Sequence, residues 1–249
     1  MNTVLITGCS SGFGLEIARH FLARDWNVVA TLRTPAGDLL PTSPRLRVLP
    51  LDVTDASSIR DAVGAAGAVD VLVNNAGFGL AAPAEAAPLA AVRELFETNT
   101  FGTMAMTQAV LPQMRERGAG VIINVTSSVT LKALPFISAY RASKAAVNAF
   151  TESMALELEP HGIRTHLVLP GRSPGTRFGS SARSRMHGME HPAYAETIQR
   201  VFAALQDASS PTTRMQDVAD AVWRAATDAS TPLRIAAGAD AVAWMAEAR

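Results

Sequence analysis

Seven short apolar runs, rich in β-branched residues, recur along the chain, and most are followed by a longer stretch of helical period: Thr3–Thr7, Val28–Leu32, Leu46–Leu51, Val69–Asn74, Val121–Thr126, Ile163–Leu169 and Leu233–Ala236. Strands that alternate with helices pair in parallel through right-handed crossovers. Most runs are apolar throughout, so neither sheet face can be left to water and helices must cover both. The pattern predicts an α/β chain with a seven-stranded, doubly wound parallel sheet in a single domain over residues 1–249.

Two segments break the rhythm. Leu32–Arg45 holds three prolines and is too broken for a full crossover helix, so it reads as a loop with at most one helical turn. Pro170–Pro192 is rich in Gly, Ser and Arg and follows a strand directly. Long irregular segments inside compact domains are usually either functional lids or disordered, and of the two a substrate-binding lid over about residues 170–210 is expected here.

After the first strand comes T-G-C-S-S-G-F-G, with glycines at 8, 12 and 14, and from Leu15 the apolar pattern turns helical. Strand, glycine turn and helix in that order bring backbone N–H groups and a helix N-terminus up to a pyrophosphate. Gly8, Ser10, Ser11, Gly12, Phe13 and Gly14 are therefore candidate dinucleotide-binding residues. The chain then reads as one Rossmann-type domain over residues 1–249.

The chain has two tyrosines and two lysines, yet places Tyr140 and Lys144 four apart in S-A-Y-R-A-S-K. On a helix, positions i and i+4 share a face, with Cβ atoms about 5–6 Å apart. A free phenol titrates near pH ~10, too high for easy proton exchange at neutral pH. A neighbouring ammonium favours the phenolate, so the pair is expected to act as a proton switch with a lowered tyrosine pKa.

Further motifs follow in order: L-D-V-T-D at Leu51–Asp55, N-N-A-G at Asn74–Gly77 and E-T-N-T-F-G at Glu97–Gly102. With the glycine turn and the Tyr140/Lys144 pair, this set resembles the short-chain dehydrogenase/reductase family over about residues 1–180, and the segments L-R-T-P and L-R-I-A-A-G-A-D resemble its 17β-hydroxysteroid-dehydrogenase-like branch. The resemblance implies a catalytic set of Asn99, Ser127, Tyr140 and Lys144. Ser127 stands thirteen residues before Tyr140, as the family's serine does, but Thr130 replaces the glycine usual three residues on, and Ser128 remains the alternative. Lys144 would also bond the nicotinamide ribose, and Asn99 would hold a water that links the lysine to solvent. Asp52 and Val53 would close the adenine pocket, while Asn75, Ala76 and Gly77 would line the cofactor through their backbone. Pro170, Gly171 and Thr176 resemble the family's P-G-x-x-x-T, with the threonine one residue late.

At the tip of the second strand, where NAD enzymes carry an acid for the ribose 2′-OH, the chain has Leu32 followed by Arg33. A 2′-phosphate wants a cation, so NADP(H) is expected over NAD(H), with Arg33 and Ser11 as the contacts. The implied reaction moves hydride between nicotinamide and a carbonyl or secondary alcohol. Two alternatives share the scaffold: a non-catalytic NADP(H)-sensing regulator, and an epimerase or dehydratase that retains the cofactor.

Charge narrows the partners. Twenty-two basic residues balance 22 acidic ones, which argues against nucleic acid or an anionic membrane surface. No apolar run is long enough to span a bilayer uninterrupted, no signal peptide is read at the start, and Cys9 is the single cysteine, so a cytoplasmic location is expected. The five histidines show no metal-ligand spacing. Phe178, Met186, Met189 and Tyr194 are candidate lid apolar residues, and Arg172, Arg177, Arg183 and Arg185 are either solvated or face an acidic substrate. The resemblance also implies a homodimer or homotetramer through Leu89–Arg115 and Ala139–Glu159.

Overall fold

Each apolar run becomes a strand of one parallel sheet, ordered β3-β2-β1-β4-β5-β6-β7. In this computed structural model, residues 2–35, 39–176, 179, 182, 184–207 and 209–248 are described; Arg177, Phe178 and Arg183 lie outside them. The strands are β1 (Thr3–Ile6), β2 (Asn27–Leu32), β3 (Leu46–Pro50), β4 (Val71–Asn74), β5 (Gly120–Val125), β6 (Ile163–Pro170) and β7 (Arg234–Ala237). The helices are α1 (Gly12–Leu22), α2 (Ala56–Ala66), α3 (Leu89–Phe96), α4 (Gly102–Arg117), α5 (Ser138–Leu158), α6 (Ala195–Gln206), α7 (Met215–Thr227) and α8 (Ala239–Glu247). The described residues between β2 and β3 carry no helix, as the prolines there require.

The all-apolar strands bury both faces. Val4, Ile6, Val28, Ala30, Val71, Val73 and Ile123 point to a core shared with α1 and α7. Leu5, Val29, Leu72 and Ile122, one residue out of phase, point to a second core under α2, α4 and α5. That alternation is the two-residue period of a strand, and each fully buried Leu or Ile contributes about 1.5–3 kcal/mol. A wedge of Phe21, Trp26 and Trp223, with ring centroids 5.1–5.7 Å apart, seals the far side of the first core.

Strand order reverses at β1, which pairs with β2 on one side and β4 on the other. Loops leaving the carboxyl ends of two strands that wind in opposite directions part there, leaving a crevice. Into it run the glycine turn after β1, the N-N-A-G turn after β4 and, from further along the sheet, the ends of β5 and β6.

Candidate active site

The glycine turn is shaped by close backbone approach. Gly8 has φ +75°, and a Cβ on Gly14 would collide with the Gly8 carbonyl and the Asn75 amide. Ser11 precedes α1 in extended backbone and makes no side-chain cap to it, so the N–H groups of the first turn face the crevice uncapped, the arrangement that receives an anion. Thr7 bolts this turn to the next: its hydroxyl accepts from Asn75 N (3.0 Å) and Ala76 N (2.9 Å), while Asn75 Nδ2 donates to Thr7 O (2.9 Å) and Gly8 O (3.1 Å). From the other side Thr176, held by its own hydroxyl to Ser173 O at 2.9 Å, lies over Gly12, 3.5 Å from where a Cβ would stand there. The residues read as a cradle thus meet, Thr176 included despite its late position.

Asp52 and Val53 flank the same end of the sheet. Asp52 Oδ1 accepts from Thr54 N (2.9 Å) and Thr54 Oγ1 (2.7 Å), and Val53 is buried against Gly102. Asp55 caps α2 by accepting from Ser57 Oγ (2.6 Å), Ser57 N (2.8 Å) and Ser58 N (3.4 Å); these bonds, the Ser57 hydroxyl's first, hold its carboxyl below the usual carboxylate range. Arg33 is exposed where β2 ends.

The catalytic candidates converge beyond the N-N-A-G turn. Helices α3 and α4 run on through a π-helical turn at Glu97–Phe101, an irregularity frequent at functional sites. Asn99 sits in that turn, fully buried. Its Oδ1 accepts from Phe78 N (3.0 Å), and its Nδ2 donates to Phe78 O (3.0 Å) and Ser143 Oγ (3.2 Å). Ser143 in turn donates to Tyr140 O at 2.8 Å. Asn99 is therefore locked to α5, one residue from Lys144. A Cβ on Gly77 would stand 2.8 Å from Asn99 Oδ1 and 3.4 Å from Lys144 Nζ, which fixes how near the three lie.

Tyr140 and Lys144 lie buried on one face of α5. Leu80 and Leu95 pack with the Tyr140 ring, and Lys144 Nζ donates to Val125 O at 3.0 Å. The Tyr140 hydroxyl hydrogen-bonds Ser127, whose own Oγ accepts from Val129 N at 3.3 Å. Ser128 Oγ is buried with no hydrogen-bond partner among the described residues. So Ser127 is the serine brought to Tyr140.

One expectation is corrected. The four-residue spacing predicts that the lysine lowers the phenol's pKa, yet burial is the larger effect: it pushes Tyr140 up to about 12, opposed by the Ser127 hydrogen bond. Burial likewise pushes Lys144 down to about 8. Removing either group from water disfavours its charged form, and sequence spacing does not reveal burial.

Sequence reasoning passed over the polar side chains that hold the site. Asn74 Nδ2 donates to Asn124 Oδ1 (2.9 Å) and Thr107 Oγ1 (3.1 Å), and Asn124 Nδ2 donates to Thr151 Oγ1 (2.8 Å). This ladder ties β4, β5, α4 and α5 beneath Lys144. The available signal was polar residues inside otherwise apolar strands, at Asn74 and Asn124. Arg172 has a partner that the sequence does not show: its guanidinium donates to Leu205 O (2.6 Å) and Asp207 O (3.3 Å) in exposed bonds at the carboxyl end of α6, where a cation complements the helix dipole. The lid candidates Met186 and Tyr194 dock on the loop after β4. Met186 bridges Ala81, Tyr194 donates to Glu85 Oε1 at 2.5 Å, and its ring packs edge-on to Phe136. Arg185 stands 4.5 Å over the Phe78 ring. Among the described residues, no group of three or more His, Cys, Asp or Glu side chains could hold a metal, and no helix is long and apolar enough to cross a membrane.

Known proteins resemble this chain in sequence and fold. The family model for short chain dehydrogenase matches residues 2–186. An uncharacterized oxidoreductase of Bacillus subtilis, YusZ, is 38% identical over 236 residues, covering 90% of this chain and 84% of its own. Human 17-beta-hydroxysteroid dehydrogenase type 1 is 41% identical over 180 residues, 66% of this chain and 55% of its own. The crystal structure of a short-chain dehydrogenase from Streptomyces avermitilis superposes with TM-score 0.86 at 36% identity, covering 99% of this chain and 91% of that one. A Burkholderia cenocepacia short chain dehydrogenase solved in complex with NADP does so with TM-score 0.78 at 28% identity, covering 99% and 91%. A family model that matches residues 2–186, from β1 past β6, together with relatives that include a 17-beta-hydroxysteroid dehydrogenase, makes this chain a member of the short-chain dehydrogenase/reductase family.

Proposed function

We propose that the protein is an NADP(H)-dependent oxidoreductase that interconverts a carbonyl and a secondary alcohol through Ser127, Tyr140, Lys144 and Asn99. The observation that carries this reading is the Ser127–Tyr140 hydrogen bond, with the Lys144 amine buried one turn along α5. A substrate oxygen placed between two hydroxyls receives a hydrogen bond from Ser127 and exchanges a proton with Tyr140. The phenol is protonated at neutral pH, and burial pushes its pKa further up; this is the form that donates during carbonyl reduction. For alcohol oxidation the phenolate is needed, and Lys144 is the cation at hand to stabilise it. Asn99, clamped on both sides, fixes the lysine's wall of the site.

The glycine turn and Thr176 fit a dinucleotide, since Gly8 and Gly14 let the turn close against Asn75 and Ala76 and the start of α1, uncapped by the Ser11 side chain, offers its N–H groups to a pyrophosphate. When bound, the nicotinamide supplies or accepts the hydride. Gly8, Ser10, Ser11, Gly12, Phe13 and Gly14 would hold its pyrophosphate, Asp52 and Val53 its adenine, Asn75, Ala76 and Gly77 its inner ribose side, and Pro170, Gly171 and Thr176 its carboxamide. Arg33, exposed beside Leu32, would take a 2′-phosphate. The NADP complex of the Burkholderia relative supports that choice. Exposed Leu89, Phe101 and Leu156, on or beside α3, α4 and α5, support self-association through those helices. The test is a panel of ketones, aldehydes and alcohols assayed with NADPH and NADH. Turnover with higher kcat/KM for the phosphorylated cofactor is expected. Cofactor binding with no turnover anywhere on the panel would favour a cofactor-sensing role instead.

A further inference from the structure

The turn that follows β6 is held from a distance. Pro170, Gly171 and Arg172 begin the segment that reaches Thr176, which lies over Gly12 of the glycine turn. Two side chains from the last fifth of the chain meet this turn. Thr213, buried just ahead of α7, accepts from Gly171 N at 2.9 Å, and its own N–H donates to Arg172 O at 2.8 Å. Asp240, buried in the first turn of α8, accepts from Arg172 N at 2.6 Å through Oδ2 and from Thr213 Oγ1 at 2.7 Å through Oδ1. Thr213 Oγ1 also lies 2.8 Å from Ala237 O, a second acceptor for its proton.

Two backbone N–H groups and one carbonyl of a three-residue turn are thus satisfied by this pair. The approach is close: a Cβ on Gly171 would collide with the Asp240 carboxylate. The same residue, Arg172, sends its side chain to the carboxyl end of α6 in the lid. A buried carboxylate in the C-terminal helix therefore sets the backbone from which both Thr176 and the lid helix are hung.

We infer that Asp240, acting through Thr213, is a positioning residue for the nicotinamide side of the cofactor site. This rests on the proposed NADP(H) function. Its chemistry makes a graded prediction. Alanine at 240 orphans the Arg172 N–H in a buried site, and the turn shifts to find another acceptor. Asparagine can keep that acceptor in place and donate its amide to Thr213 Oγ1, whose proton then turns to Ala237 O.

The experiment is a fluorescence titration of NADPH, beside calorimetric titration of adenosine 2′,5′-bisphosphate, which reports the adenine half alone. Asp240→Ala is expected to raise the Kd of NADPH about 10- to 100-fold and leave that of the bisphosphate within about twofold, while Asp240→Asn stays near wild type. Should Asp240→Ala not fold, Thr213→Val and Thr213→Ser carry the same contrast, the serine retaining the hydroxyl and the valine losing it. If the alanine or valine variants bind NADPH as wild type does, or lose both ligands in parallel, the positioning role is overturned. If wild type binds neither ligand, the proposed cofactor falls, and this inference with it.

Discussion

Lys144→Met separates what the lysine does from what it costs. Burial holds the ammonium near 8 in place of 10.5. At about 1.4 kcal/mol per pH unit, keeping it charged at neutral pH costs the fold on the order of 3 kcal/mol. Methionine has a similar reach and no charge, so it removes that cost, but it leaves Val125 O without the donor now 3.0 Å away, a loss of about 1–3 kcal/mol. The variant should therefore be more stable than wild type by about 1 kcal/mol at pH ~7, and inactive. The pH dependence is the sharper readout, because the carbonyl's loss does not titrate. The folded-state value lies below the unfolded one. Below about pH 8 both states are charged and the whole cost is present; between about 8 and 10.5 the unfolded chain still binds the proton that the folded protein has released, so wild-type stability rises with pH relative to the variant. Urea unfolding of both proteins without cofactor, at about pH 7 and about pH 9.5, should show the gap move toward wild type by roughly 2 kcal/mol. An unchanged gap would refute the burial argument.

Three further outcomes are expected. Ser127→Ala should lower kcat/KM about 10²- to 10³-fold by removing one oxygen-directed donor, with Ser128→Ala within about threefold of wild type; steady-state kinetics giving the reverse order would move the role to Ser128. Arg33→Ala should raise the KM for NADPH about tenfold or more and leave that for NADH nearly unchanged, whereas equal losses with both cofactors would remove Arg33 from the 2′-phosphate site. Leu156→Arg, on an α5 position 75% exposed, should reduce the assembly's mass in light scattering if α5 packs against a second copy, and an unchanged mass would place any interface elsewhere.

The sheet was legible because its strands are apolar on both faces, so the runs at Val28–Leu32 and Val121–Thr126 stand out and end within a residue or two of β2 and β5. The glycine turn was legible because its spacing answers a backbone requirement that other residue types cannot meet. Tyr140 and Lys144 were placed correctly on one helix face, but the sign of the phenol's shift was not foreseen: spacing fixes who is adjacent, while burial depends on Leu80 and Leu95, which are 60 and 45 positions away. The π-helical turn at Asn99 left no mark either, since it is a change of hydrogen-bond partner within an unbroken helical pattern. Arg172 read as solvent or substrate contact because its true partner, the end of α6, is more than thirty residues on. Thr213 and Asp240 escaped for the same reason: the carboxylate and the turn it holds are 68 residues apart.

In the proposed reaction the buried Tyr140 phenol carries the proton. Tyr140→Phe keeps the ring that packs with Leu80 and Leu95 and deletes only the hydroxyl that meets Ser127. Measured on whichever panel substrate wild type turns over fastest, kcat is expected to be lower by about 10³-fold or more, with NADPH affinity and melting temperature little changed. A phenylalanine variant that turns over within about tenfold of wild type would contradict that role.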